Sequence, residues 1–267
     1  MNSLQRPLDT RLADLLRSGQ RLSAIFNGIP SPAIVEMCCY AGFDFVVIDN
    51  EHGAADLQNT EHMLRAARAA GMPAAVRCLE QDLSRTLDIG AGGVQIPMVN
   101  TAAHARRLVE QVKYPLPVGV PGIRGQRGSA FSTRAAGYGA FGGPQHTLAS
   151  NSGIALIVMI ETPEGVANAA SIAAVPGVDA VFIGPNDLAH SMGHENRWHD
   201  DPVQTAIRQA IEGVASAGCC PGILSLTPQE TERYAAWGAR YFATVTTGLI
   251  FKAFKDAAAG GRSGVEY

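Results

Sequence analysis

The sequence predicts a single-domain (β/α)8 TIM barrel spanning residues 1–267. Three observations predict it. Short apolar runs alternate with longer amphipathic stretches, eight such runs are present, and helix start and stop signals fall at the joints between them. The length of 267 residues is also ordinary for one such barrel.

The eight runs are Leu22 to Phe26, Phe45 to Asp49, Ala74 to Arg77, Val94 to Pro97, Ala155 to Glu161, Ala180 to Ile183, Gly222 to Leu224 and Tyr241 to Val245. They are rich in Val, Ile, Phe and Leu, as strands covered on both faces should be. Helices are expected to begin at Ser31-Pro32, Thr162-Pro163, Asp201-Pro202 and Thr227-Pro228. There a cap oxygen takes an orphan backbone N–H, and proline occupies a position that needs no donor. Thr227 and Glu230 have capping-box spacing. Glycines 42, 71, 218 and 238 mark helix ends, where the left-handed conformation closes the last turn. No Gly-x-Gly-x-x-Gly follows the first run and no Walker-type loop occurs, so a closed barrel is favoured over an open doubly wound sheet.

Tyr114 to Gly153 breaks the rhythm as a Gly-rich insertion before the fifth strand. It is too long for an ordinary connection, which marks it as functional or partly mobile. Gly248 to Ala259 reads as a C-terminal helix able to pack on a neighbouring subunit.

Composition excludes several function classes. With 46% hydrophobic and 17% charged residues, the chain has ample core material. A net charge of −3 gives no basic footprint, so no nucleic-acid partner is expected. Met1 to Gln20 lacks an apolar signal core, and no run approaches the roughly 18 apolar residues of a membrane helix. No membrane partner and a cytoplasmic location are expected. Five cysteines without a Cys-x-x-Cys read as small buried residues.

In such barrels the chemistry sits at the carboxyl ends of the strands. The second run ends in Asp49-Asn50-Glu51-His52, the third at Arg77, and the fifth at Glu161. The sixth leads into Gly184-Pro185-Asn186-Asp187. Taken singly each has a bland reading as a cap or a surface residue. Together they bring one cation, one base and two carboxylates to one mouth. Glu161 and Asp187 suit a hard divalent cation, which takes one or two carboxylates and leaves its other positions to water and substrate.

Lysines occur only at 113, 252 and 255, and none ends a strand. Imine chemistry, which needs a buried lysine inside the barrel, is therefore not expected. A metal Lewis acid is the remaining common way to stabilise an enolate. His190, His194 and His199 read as solvated loop residues rather than a zinc cluster, whereas His52 directly follows a strand.

At these residues the chain resembles the HpcH/HpaI aldolase family from about Leu22 to about Gly248. The resemblance rests on six motifs in order: Ala41-Gly42-Phe43-Asp44-Phe45 leading to Asp49-Asn50-Glu51-His52; Val76-Arg77; Gln95-Ile96-Pro97-Met98-Val99; Gly122-Ile123-Arg124-Gly125; Ile160-Glu161-Thr162; and residues 181–188 around Gly184-Pro185-Asn186-Asp187. It implies a class II aldolase that cleaves a 4-hydroxy-2-oxo acid to pyruvate and an aldehyde. A pyruvate enolate held on a divalent ion (Mg²⁺, Mn²⁺ or Co²⁺) is the implied intermediate.

By the same resemblance, Glu161 and Asp187 are metal ligands, His52 is the general base, and Asp88 raises its basicity. Arg77 stabilises the enolate, and Asp49 belongs to the catalytic set. Gly184, Pro185, Asn186 and Asp187 bind the pyruvate carboxylate, which suits the exposed N–H groups of a helix start. The partners implied are a 2-oxo acid and an aldehyde, with a homo-oligomer, a hexamer by this resemblance. Two positions depart from the family pattern. Asn50 replaces a glycine, and Met159, also on the substrate side, replaces a glutamine that helps bind substrate. A citrate lyase β-type CoA-ester lyase and a catalytically silent oxo-acid binder remain alternative readings.

Overall fold

A computed structural model describes residues 6–259. Eight parallel strands close in sequence order: β1 (Leu22–Asn27), β2 (Phe45–Asp49), β3 (Ala74–Arg77), β4 (Gly93–Ile96), β5 (Ala155–Ile160), β6 (Ala180–Ile183), β7 (Cys220–Leu224) and β8 (Tyr241–Val245). β1 pairs with β8 to complete the ring. The helices are α1 (Arg11–Arg17), α2 (Pro32–Tyr40), α3 (Leu57–Ala70), α4 (Leu83–Asp88), α5 (Ala102–Val112) and α6 (Pro144–Gly153), then α7 (Pro163–Ala167), α8 (Ala169–Ala173), α9 (Pro185–Ser191), α10 (Asp201–Ser216), α11 (Pro228–Ala236) and α12 (Thr246–Ala258). The expected barrel is present. None of the described helices is long and apolar enough to cross a membrane.

Strand alternation divides the core in two. Phe26, Phe45, Met159, Phe182 and Tyr241 point into the barrel, while Ile25, Val46, Ile48, Val76 and Ile160 pack against the helices. Inside, the rings of Phe26, Phe182, Tyr241 and Phe45 pack in sequence, tilted or edge to face, at centroid distances of 5.4, 5.0 and 4.8 Å. Such volume fits only because Ala24, Ala75, Ala180 and Ala243 occupy facing positions. Tyr241 donates its hydroxyl to Gln95 Oε1 at 3.1 Å, so the inward phenol keeps a partner.

Several boundaries differ from expectation. β4 starts at Gly93 and stops before Pro97, β5 stops at Ile160 so that Glu161 lies just beyond it, and β7 begins at Cys220. Pro221 lacks a donor, yet it lies within β7 and its carbonyl accepts from Arg240 N–H at 2.9 Å. Thr162 and Thr227 cap their helices, and Thr227 with Glu230 completes the capping box. Ser31 makes no side-chain cap bond, and the cap of α10 is Asp200 rather than Asp201. Gly42, Gly71, Gly218 and Gly238 all have positive φ, as helix stops require.

The Gly-rich insertion is tied down at the amino-terminal end and flank of the barrel. Arg134 donates to the carbonyl of Ile89 and Arg127 to the carboxylate of Asp88, both at the end of α4, while Arg124 closes the insertion on itself through the carbonyls of Leu116, Pro117 and Val120. Lys113, at the end of α5, is fully buried and donates its ammonium to the Ile154 carbonyl at 2.8 Å. Burial lowers its pKa to about 8. It thus has the depressed pKa of an imine lysine at the wrong end of the barrel. At the other extreme, α12 buries only Thr246, and Phe251 and Phe254 stand exposed.

The packed ring layer predicts the effect of Gly222→Ala. A Cβ there would lie 2.5 Å from Tyr241 and 2.8 Å from Phe182. We expect overpacking to cost about 1–3 kcal/mol, seen as a melting temperature lowered by several degrees. An unchanged melting temperature would contradict this packing.

Candidate active site

The register of β2 on β3 sets Asp49 beside Arg77. Arg77 donates to Asp49 with Nε at 2.8 Å and Nη2 at 2.5 Å, a two-pronged pair that fixes the plane of the guanidinium. Its Nη1 lies 3.4 Å from Glu51, and its Cζ sits 4.9 Å from the centroid of the Phe26 ring. Burial opposes both charges, but the pairing outweighs it. Asp49 is held below the usual carboxylate range, and Arg77 above its ordinary value. Asp49 Oδ1 also accepts from the backbone N–H groups of Glu51 and His52, which sets the turn carrying the histidine. Asn50 needs no glycine conformation. Its amide donates to Thr60 on α3 at 2.8 Å, so this departure ties the turn to a helix.

Across the mouth, Glu161 is 2% exposed. Its Oε2 accepts from Met98 N–H at 2.8 Å. Met98 is a non-glycine residue at φ 58, a strained conformation that aims the N–H at the carboxylate. Gly184 leaves room for the other oxygen, since a Cβ there would come within 2.6 Å of Glu161 Oε1. Burial, with the charges of Asp187 and Glu51 adding to it, pushes Glu161 up to about 7. Asp187 stands in the first turn of α9. Glu51 Oε2 is buried without a hydrogen-bond partner.

These oxygens fit a hard divalent cation: two carboxylates from adjacent elements, and a third carboxylate oxygen placed to receive a hydrogen bond from water. The described residues hold no group of three or more His, Cys, Asp or Glu with metal-ligand geometry, so water and substrate would complete the coordination.

A cavity of about 370 Å³ opens at this mouth. Phe26, Met159 and Phe182 form its apolar floor, with Leu224 and Val245 on the wall and His52, His190 and Asn196 among its polar lining. The cavity gathers Asp49, His52, Arg77, Met159, Glu161, Gly184, Pro185, Asn186 and Asp187, all expected from the sequence. Asp88 is the exception. It ends α4 away from the cavity, and its carboxylate accepts from Arg127 Nη2 at 3.0 Å, so within one chain it does not reach His52.

Sequence reasoning missed Glu51 as a separate site member, the ring floor, and His190 with Asn196. The three histidines form no cluster, and His190 lies on α9 rather than in a loop. His194 pairs with Asp200 at 2.7 Å, His199 lies 3.6 Å from Glu230, and only His190 lines the cavity. The alternation of inward residues could have found Phe26 and Phe182, but no local signal marks His190.

The family described as HpcH/HpaI aldolase/citrate lyase matches residues 22–252. A hydroxypyruvate/pyruvate aldolase of Delftia acidovorans is 38% identical over 231 residues, 85% of this chain and 83% of its own length. A 4-hydroxy-2-oxo-heptane-1,7-dioate aldolase of Salmonella typhimurium is 35% identical, covering 95% of this chain and 94% of its own. The crystal structure of a family member from Burkholderia cenocepacia J2315 superimposes with a TM-score of 0.87 at 30% identity, over 96% of this chain and 100% of that one.

The raised Glu161 value has a signed consequence. A carboxyl whose folded pKa is about 7, against 4.5 unfolded, leaves stability intact below pH 4.5 and removes it as pH rises through 7. In EDTA at pH 8.5, Glu161→Gln should therefore be more stable than wild type by on the order of 3 kcal/mol, and the gap should close toward pH 5. Thermal melts across that range check it, and a gap independent of pH would contradict it.

Proposed function

The chain belongs to the HpcH/HpaI aldolase/citrate lyase family and is a carbon–carbon lyase, and from that premise we propose that it cleaves a 4-hydroxy-2-oxo acid reversibly to pyruvate and an aldehyde. The observation that carries this reading is one buried guanidinium facing two unpaired carboxylates, with a histidine in the same cavity. An enolate needs charge stabilisation at its oxygen and a base for the hydroxyl proton, and this set supplies both.

Glu161 and Asp187 would hold a divalent cation, Mg²⁺, Mn²⁺ or Co²⁺, which when bound supplies Lewis-acid stabilisation to the 2-oxo group. The first-turn N–H groups of α9 at Asn186 and Asp187 receive the substrate carboxylate, being donors that the helix itself cannot satisfy. His52 takes the proton of the 4-hydroxyl, through a water, at an imidazole nitrogen. The C3–C4 bond breaks. Its electron pair becomes the C2–C3 double bond, the aldehyde departs, and charge collects on the C2 oxygen. Arg77 donates to that oxygen from an orientation that Asp49 has already fixed, so little reorganisation is needed as charge develops. Protonation at C3 then gives pyruvate.

The exposed apolar face of α12 supports assembly of several copies, six by the family resemblance. A role for Asp88 beside His52 would need such a second copy.

Arg77→Ala should lower kcat for pyruvate release about 10²-fold or more, because it removes a donor aimed at the developing charge. EDTA should abolish wild-type release, and added Mn²⁺ restore it. Near-normal turnover by Arg77→Ala, or activity that persists in EDTA, would overturn the corresponding assignment.

A further inference from the structure

We propose that His190 and Asn196 recognise the aldehyde, and that they select one carrying hydroxyl groups rather than a carboxylate or a plain alkyl chain. The inference deepens the aldolase reading and rests on it.

Pyruvate has six non-hydrogen atoms. At no more than about 30 Å³ each, the share of a water molecule in the liquid, they leave about half of the 370 Å³ cavity for a second reactant. The inner polar groups are already committed, Arg77 to Asp49 and Glu161 to Met98. His190 and Asn196 line the same cavity and their side chains hydrogen-bond to no described residue, although the neighbouring His194 side chain bonds Asp200 and that of Arg197 bonds the His194 carbonyl.

Their positions are set by the backbone. His190 follows Asp187 by three residues on α9, about one turn and about 4.5 Å along the helix axis on the same face. Asn196 comes from the loop between α9 and α10. Glu195, the residue before it, holds a left-handed φ of 54, which is strained for a non-glycine residue. The loop is pinned on both sides: His194 bonds Asp200 at 2.7 Å, Trp198 is buried, and Gln204 Nε2 donates to the Trp198 carbonyl at 2.8 Å. A strained turn in a pinned loop keeps Asn196 at the cavity.

The chemistry follows from the donor and acceptor inventory. A neutral imidazole and a carboxamide each offer both a donor and an acceptor, which matches a hydroxyl group. A carboxylate only accepts and calls for a cation, and among the described residues the arginine lining the cavity, Arg77, is bound to Asp49. Both side chains are solvent-exposed in the free protein, so a hydroxyl group exchanges the water on them for an equivalent bond, whereas a plain alkyl chain displaces that water and returns no hydrogen bond.

The test is aldol addition of pyruvate to glyceraldehyde, propanal and succinic semialdehyde, measured as kcat/KM in the presence of Mn²⁺. His190→Leu and Asn196→Leu should each lower the glyceraldehyde-to-propanal ratio about fivefold or more, chiefly through KM for glyceraldehyde, with propanal changed less than about twofold. His190→Gln and Asn196→Gln, which keep a donor and an acceptor, should retain most of the ratio. An unchanged ratio in both leucine variants, or a wild-type preference for succinic semialdehyde, would overturn this assignment alone. A wild type that adds pyruvate to none of the three overturns it together with the reading beneath it.

Discussion

The mouth of this barrel is governed by an imbalance of buried charge. Asp49, Glu51, Glu161 and Asp187 gather around a single guanidinium, Arg77, and only Asp49 is fully paired with it. Carboxylates taken out of water must be paired, protonated or bound to a cation. Glu161 shows the strain of the unpaired case, its proton held to about pH 7 by burial and by its acidic neighbours. A divalent ion held by Glu161 and Asp187, as proposed above, would offset the surplus. The same surplus explains why Met98 accepts a strained backbone and why position 184 carries no side chain, since each serves the Glu161 carboxylate.

The barrel converts that electrostatic requirement into geometry. Parallel register places Asp49 against Arg77 and Met159 against Phe182 without any contribution from loops. Below Asp49 and Arg77, Phe26, Met159 and Phe182 form an apolar floor, backed by the rings of Tyr241 and Phe45, and a low-dielectric floor strengthens each charge above it. The two departures from the family pattern then separate in kind. Asn50 is structural, tying the turn before His52 to α3 through Thr60. Met159 belongs to the floor and makes it wholly apolar, so polar recognition of substrate must come from the strand ends and from α9 and its following loop.

Most of this was legible in the sequence because it sits where strand periodicity ends. Asp49, Arg77, Glu161 and Asp187 each interrupt or follow an apolar run, and a parallel barrel sends all such interruptions to one face. What the sequence hid depends on contacts between distant segments. Glu51 looked like part of an acidic turn until its oxygen appeared buried without a partner. His190 reads like its solvated neighbours, and only the fold brings it to the cavity that Asp187 also lines. Asp88 was placed by resemblance, which carries a residue's role but not which part of the space it occupies. In this chain it answers to Arg127.

The most direct measurement is deuterium exchange into the methyl group of pyruvate in D2O, which requires enolate formation and no aldehyde. The account predicts exchange with Mg²⁺, none with EDTA, and a marked loss in His52→Ala. Exchange that survives EDTA would contradict the role assigned to Glu161 and Asp187. No exchange with any divalent ion would contradict the enolate chemistry itself.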